Sequence, residues 1–317
     1  MASIYINPGF GELLGDVSER FTTIESNVYS NTGVSFIYSV INNTECEFTI
    51  PFTSSSGNYY LRFDLHEHGY SLQNFHVKLP LAEGTLDFYT NTQNFLINIP
   101  SKESKYDSKS IFNVEKDKVN TAWLCLNITS SSPGFRYAVN GIYSEIFDLS
   151  GYSKGYGNPV LQFPHSTQYT PESANKICLS NIIVSDIELS VDETAIIVPT
   201  TIESNDMTSA ENGKYLLDKV GASLKVAVNK AQFLDICSGD TLVHGVTIAG
   251  VPFEMTSFGT ITLGTFVTYP NGMGIGGYFN LTSTNMGFAD NRAHNDDVPA
   301  SDFQNWKFSW NVSAINK

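Results

Sequence analysis

The feature that most constrains the fold is a rhythm. Short runs of alternating apolar and polar residues recur at intervals of roughly ten residues. In residues 59–66, Tyr59, Leu61, Phe63 and Leu65 alternate with Tyr60, Arg62, Asp64 and His66. A period of two puts each set on its own face of a strand, so one face is buried. Val34, Phe36, Tyr38 and Val40 repeat the pattern, as do Cys46, Phe48 and Ile50, and then Phe75, Val77 and Leu79. Residues 86–90 and 95–99 read as a hairpin around Asn91, Thr92 and Gln93. Aromatic residues make up 13% of the chain and charged residues only 16%, a balance that favours short strands with polar turns over helices. The expected fold class is all-β.

Residues 120–189 form the centre of this pattern. The run Trp123-Leu124-Cys125-Leu126-Asn127-Ile128 is apolar on both faces apart from Asn127, as expected of a strand covered on two sides. Phe135, Tyr137 and Val139 share a face, and Asn140-Gly141 supplies the positive-φ positions of a hairpin turn. Residues 177–184 are β-branched and almost free of charge, as a central strand is. Residues 101–118 are polar and read as an exposed loop. Short strands at 143–149 and 160–163 flank a loop rich in Gly and Tyr at 151–158.

This order resembles the laminin G-like and concanavalin-like jelly rolls. There a tryptophan strand precedes a hairpin ending in Val-Asn-Gly, here Val139-Asn140-Gly141. The late strand of the pattern is here Leu179-Ser180-Asn181-Ile182-Ile183-Val184-Ser185-Asp186. The resemblance spans residues 33–190 and implies a β-sandwich that binds glycans or proteins without doing chemistry.

A chain of 317 residues exceeds one ordinary sandwich and suits two domains. The expected division is an N-terminal arm at 1–32, a concanavalin-like sandwich at 33–198, a linker at 199–205 and a smaller β-rich domain at 206–317. In the arm, Leu13, Leu14, Val17, Phe21, Ile24 and Val28 approximate an amphipathic helix, to pack on the sandwich or dock on a neighbouring subunit. Pro199 and the polar run after it mark the linker. Beyond it lie strand-like runs, one or two helical turns at 229–236, and a last strand in which Trp306, Phe308, Trp310 and Val312 alternate with polar residues. No heptads are present, so an oligomer of this chain is not a coiled coil.

Net charge is −14, and the arginines are Arg20, Arg62, Arg136 and Arg292. Phosphate surfaces need clustered cations, so nucleic acid and anionic membranes are not expected partners. The first residues lack a basic segment followed by an apolar core, and no run approaches the roughly 20 apolar residues that span a bilayer. Nothing here directs Sec export, so the chain is expected to be intracellular, to leave a lysed cell as part of a virus particle, or to have been trimmed. Of these the expected location is a virion or an extracellular surface. Cys46, Cys125, Cys178 and Cys237 have no metal-type spacing and read as buried thiols, with a single Cys125–Cys178 bridge as the alternative.

Several motifs invite chemistry. His66-Glu67-His68 puts two imidazoles on one face, and a metal there would need His76 as a third ligand. A polar strand face accounts for the same residues. The acidic stretch from Asp290 to Asp297 is the one place considered for calcium, and otherwise a solvated loop; no other cofactor is expected. Gly272-Met273-Gly274-Ile275-Gly276-Gly277 reads as a glycine turn, because strand-like residues follow it where a dinucleotide loop would open a helix. No Glu-x-Asp-x-(x)-Glu triplet and no Gly-x-Ser-x-Gly elbow occurs.

Aromatic loops carry the binding expectation. Sugars stack apolar faces on Tyr and Trp, and Asn and Gly loops supply hydrogen bonds. Tyr143, Tyr152, Tyr156 and Asn158 are the candidate ligand-binding residues, and Trp306 and Trp310 join them only if their strand is an edge. The expected function is a non-catalytic structural or adhesion protein of a virion or surface appendage, of phage tail, fibre or decoration type. Its expected partners are a glycan or cell-surface receptor, other copies of itself and other appendage proteins. A free carbohydrate-binding module is the alternative, and a glycan-active hydrolase the second alternative.

Overall fold

The chain folds into two compact units, residues 2–196 and 197–317. The computed structural model describes residues 4–7, 21–25, 34–38, 46–68, 75–91, 94–100, 119–163, 176–193, 195–196, 198–210, 214–249, 253–255, 259–282 and 289–316. The expectations for residues 8–20 and 101–118 lie outside them.

The first unit holds strands β1 (Ile4–Asn7), β2 (Phe21–Glu25), β3 (Val34–Tyr38), β4 (Cys46–Thr49), β5 (Tyr59–His68), β6 (His76–Leu81) and β7 (Gly84–Asn91). It continues with β8 (Asn94–Asn98), β9 (Val119–Asn127), β10 (Gly134–Val139), β11 (Ile142–Tyr143), β12 (Phe147–Asp148), β13 (Val160–Phe163) and β14 (Lys176–Ser185). Two sheets result. The larger runs β11-β10-β9-β5-β14-β3-β2, with β1 added on β14 and β12 on β10; the smaller runs β4-β13-β6-β7-β8. Every pairing in both is antiparallel, and the chain passes repeatedly from one sheet to the other, as in a jelly roll. This is the all-β sandwich of two antiparallel sheets that the alternation predicts.

The core lies between the sheets. Phe88 of the smaller sheet stands 5.1 Å from Tyr137 and 6.3 Å from Phe135 of the larger, and Phe63 meets Phe75 edge-on at 6.0 Å. Each of these rings is almost wholly removed from water, worth about 1.5–3 kcal/mol apiece. Tyr137 pairs with Leu124, and Leu124 with Leu61, which fixes the inward face of β9 and β5.

That register also places Trp123. Trp123 alternates with Leu124 and so lies on the outer face of the larger sheet, outside the inter-sheet core. It is buried there, and its indole N–H donates to the Leu189 carbonyl at 2.9 Å. Leu189 and Ala195, beyond β14, are buried as well. The tryptophan strand is covered on both faces, as its sequence requires, but by a different layer on each.

Two expectations change. The arm at 1–32 contributes strands: β1 pairs with β14, and β2 pairs with β3 where part of an amphipathic helix was expected. The linker at 199–205 is itself strand, β15 (Thr200–Asn205), hydrogen-bonded to β18 (Ser223–Val228) once β16 (Thr208–Ser209) and β17 (Tyr215–Leu216) have passed. Polar composition gives the segment at 199–205 away as exposed, and all six residues of β15 are; an edge strand is as polar as a linker.

The second unit continues with α1 (Lys230–Ile236), β19 (Leu242–Ala249), β20 (Phe253–Glu254), β21 (Thr260–Thr268), β22 (Gly274–Thr282), β23 (Ala289–Pro299), α2 (Ala300–Phe303) and β24 (Lys307–Asn316). Its main sheet is antiparallel, in the order β15-β18-β24-β21-β22. Asn229 caps α1, accepting from the Gln232 N–H, so the expected helical turns form where the cap permits. Phe233 of α1 and Phe303 of α2 pack at 5.4 Å, and Phe303 reaches Phe308 at 6.1 Å, so the helices cover one face of the sheet. β24 lies between β18 and β21, so Trp310 is on a central strand and not an edge. Trp306 is buried against Tyr269 and Phe303.

Candidate functional site

Residues 139–159 carry most of the exposed large apolar side chains among the described residues of the first unit. Asn140 (φ 50°) and Gly141 (φ 77°) form the expected left-handed hairpin turn. The turn is clamped to β9: the Asn140 side chain accepts from the Thr121 N–H at 2.9 Å and donates to Asn120 Oδ1 at 3.0 Å. From there β11 exposes Ile142 (57%) and Tyr143 (41%), and Ile146 (67%) follows. Tyr143 is held on its inner side, edge-on to Trp123 at 5.6 Å, with the Arg136 guanidinium 4.3 Å from its ring centroid. Ser144 closes the bend, accepting from the Tyr137 N–H and donating to the Glu145 carbonyl.

The loop after β12 is pinned at almost every residue. Asp148 accepts from both the N–H and the hydroxyl of Ser150, and these bonds lower its pKa. The Tyr152 hydroxyl donates to the Pro100 carbonyl. Ser153 accepts from the Ala82 N–H at 3.0 Å and donates its own N–H to the Glu83 carboxylate, which lowers the Glu83 pKa. Gly155 lies so close to the β6 backbone that a Cβ would stand 2.5 Å from Leu81 N and from Pro80 C. Tyr59 donates to the Gly157 carbonyl at 2.7 Å, and Thr53 donates to Asn158 Oδ1. The loop is thus a fixed shelf. Tyr156 stands out from it, 73% exposed, with the Lys154 ammonium 5.1 Å from its ring centroid.

The four expected binding residues therefore take different parts. Tyr152, Tyr156 and Asn158 share one pinned loop, in which Tyr152 and Asn158 spend their polar groups as anchors and Tyr156 presents its ring. Tyr143 sits elsewhere, on the outer face of the larger sheet against Trp123 and Arg136. Ile142, Ile146 and Lys154 join the exposed surface without having been singled out. Ile142 and Ile146 follow alternating stretches where burial is expected, and only the shortness of β11 at the sheet edge leaves them uncovered.

Other candidates resolve into local roles. His76 meets the Asp87 carboxylate at 2.9 Å and stacks on Tyr89 at 5.2 Å. The His66, Glu67 and His68 side chains lie outside the described residues. The acidic stretch considered for calcium is strand β23, paired with β19 and not a loop, and Asp297 meets His244 at 2.6 Å. No group of three or more His, Cys, Asp or Glu among the described residues is arranged to hold a metal. Gly272 (φ 80°) makes the β21–β22 turn, as expected. Cys125 is a free thiol, which excludes a Cys125–Cys178 bridge; Cys125 lies opposite Tyr60, whereas Cys178 lies opposite His66 on the other side of β5. Among the described residues no helix is long and apolar enough to cross a membrane.

No family model matches the sequence, and no curated protein matches it either. Among solved structures, basic winged bean lectin with Tn-antigen is similar at 9% identity over 58% of this chain and 98% of its own, with a TM-score of 0.39. Peanut lectin is similar at 11% identity over 60% and 100%, with a TM-score of 0.38. A sialidase is similar at 12% identity over 55% of this chain, with a TM-score of 0.33, and the chain spans only 18% of that protein's length. At these scores the strand order and the inter-sheet packing, not the likeness, carry the description of the fold.

Proposed function

We propose that the chain is a non-catalytic recognition protein whose sandwich presents residues 142–158 to a glycan. The supporting observation is Tyr156, 73% exposed on a loop that hydrogen bonds hold fixed, with Ile142, Tyr143 and Ile146, 41–67% exposed, standing apart from it earlier in the same segment. An ordered surface loses little entropy on binding, and a tyrosine ring offers a sugar a flat apolar face. The setting we propose is a virion or surface appendage, in which copies of the chain display this surface together; its all-β build and net charge of −14 suit such a setting.

A glycan array read with the wild-type chain, Tyr156→Ala and Tyr143→Ala tests the recognition. Binding is expected in the wild type and reduced about tenfold in one or both variants, the scale of one lost aromatic contact. Unchanged binding in both would remove the segment from the function. Release of reducing ends from a bound glycan would replace the reading with a hydrolase. Light scattering that found only monomers would remove the multicopy setting.

A further inference from the structure

The main sheet of the second unit leaves one face without the helices that cover the other. On β21, Leu263, Thr265 and Val267 face the covered side, where Thr265 pairs with Trp310 and Val267 with Phe308. The alternate residues, Thr262, Gly264, Phe266 and Thr268, point to the open side. Their cross-strand partners there are Asn280, Tyr278, Gly276 and Gly274 on β22, and Ala314, Asn311, Ser309 and Lys307 on β24.

Three side chains converge over Gly264. A Cβ on that residue would stand 2.3 Å from Asn311 Oδ1, 2.9 Å from Phe266 Cε2 and 3.1 Å from Tyr278 Cε1. Gly276 serves the same purpose, since a Cβ there would lie 2.3 Å from the Phe266 ring. The two glycines let Phe266 lie down on the sheet. Tyr278 then stands perpendicular to it, with ring centroids 5.9 Å apart at 87°, and remains 64% exposed. Beside it Thr262 donates to Asn280 Oδ1 at 2.9 Å and Ser313 to Asn311 Oδ1 at 3.3 Å. These bonds orient both amides and use their oxygens, so the amide nitrogens are directed by the same contacts.

We propose that this face is a carbohydrate-binding site for neutral pyranose sugars, with Tyr278 as the stacking ring and Asn280 and Asn311 as hydroxyl partners. A buttressed, exposed ring matches the C–H face of a pyranose, and flanking amides match its equatorial hydroxyls. The neighbours of Tyr278 on the face are Gly264, Phe266, Gly276, Asn280 and Asn311, all uncharged. The charges further along it, Lys307 on β24 and Lys225 on β18, are two and three strands away, and Lys307 pairs with Glu203 at 2.5 Å. This favours a neutral sugar at the ring itself. The site lies in a different unit from residues 142–158 and does not rest on their role.

The test is an array of neutral gluco-, galacto-, manno- and xylo-oligosaccharides beside a uronate-containing set. It is read with the full-length wild type, Tyr278→Ala, Tyr278→Phe and Tyr156→Ala, each checked by thermal melting. At least one neutral oligosaccharide is expected to lose about tenfold in affinity with Tyr278→Ala and less than about threefold with Tyr278→Phe, because stacking needs the ring and not the hydroxyl. The same ligand is expected to bind Tyr156→Ala normally. Gly264→Ala, which displaces the three converging side chains, should weaken the same ligand. No neutral oligosaccharide bound, or none weakened by Tyr278→Ala, would overturn the proposal, as would loss confined to the uronate set. Failure of Tyr156→Ala and Tyr143→Ala to change any binding would count against the sandwich surface alone.

Discussion

Arg62 Nη1 lies 2.9 Å from Asp64 Oδ1, and both side chains are more than nine-tenths buried on the outer face of the larger sheet. Thr121 and Asn181 both donate to the same carboxylate. Asn181 reaches it because the chain takes a left-handed step there (φ 51°), at the bulge that shifts the β14 register against β5. Arg62 makes no aligned hydrogen bond through Nε or Nη1, so proximity of charge rather than bond geometry neutralises it.

Such a pair costs most when half of it is removed. Asp64→Asn keeps the shape and leaves the guanidinium without its counter-charge, and it is expected to destabilise the first unit by about 3–5 kcal/mol. Replacing both residues by apolar ones of similar volume should recover most of the loss. Urea unfolding followed by Trp123 fluorescence measures both. A loss under about 1 kcal/mol in the single variant would mean that the pair is hydrated like a surface ion pair.

Alkaline pH should loosen the same unit. Burial raises the Cys125 thiol from 9.0 to about 12, with the Glu188 charge adding to it, and raises the Tyr137 phenol to about 12. Burial also raises Tyr5 and Tyr60. Each group stays protonated in the folded chain while the unfolded chain gives up its proton. Their contribution is therefore complete below about pH 9 and lost progressively as pH rises towards 12. Melting temperatures between pH 8 and 11 should fall, and the fall should be shallower in Cys125→Ala. A flat profile would contradict the burial of these groups.

Gly155→Ala tests the shelf. Its Cβ would meet backbone atoms at 2.5 Å, and a backbone cannot turn aside as a side chain can. The expected cost is about 1–3 kcal/mol, together with release of the 152–158 loop. Proteolysis should then cut near Lys154, which the wild type resists, and glycan binding through Tyr156 should fall with it.

The described free thiols should react in a fixed order. Cys125 and Cys237 are both partly shielded and both raised, but Cys125 carries the larger shift and a neighbouring negative charge. Since the thiolate is the nucleophile, alkylation at pH 8 should modify the peptide containing Cys237 before that containing Cys125. Mass spectrometry of a time course reads the order directly; the reverse order would place Cys125 nearer to solvent.

Much of the fold was legible in the sequence because it was carried by local pattern. Alternation at Tyr59, Leu61, Phe63 and Leu65 set the inner face of β5, and Asn140-Gly141 set the hairpin through its φ requirement. The run 229–236 read as one or two helical turns, and α1 forms there. What stayed hidden depended on partners distant in the chain. Trp123 is apolar and buried under either arrangement, and only the pairing of Leu124 with Leu61 and Tyr137 shows which layer it belongs to. Polar residues at 199–205 fit a linker and an edge strand equally, because both face water.

The candidate surfaces divide in the same way. The Gly- and Tyr-rich loop announced itself by composition, but composition could not separate Tyr156, which presents a ring, from Tyr152, which anchors one. Gly264 and Gly276 gain their role only through register, which sets Phe266 against Gly276 and Tyr278 against Gly264. The sequence by itself determined the all-β class, the turns and the period of each strand, since these follow from side-chain chemistry over a few residues. Which face of each strand meets the other sheet, which tyrosines remain exposed and which charges are buried together were decided only by tertiary structure, because burial depends on what distant segments place on top.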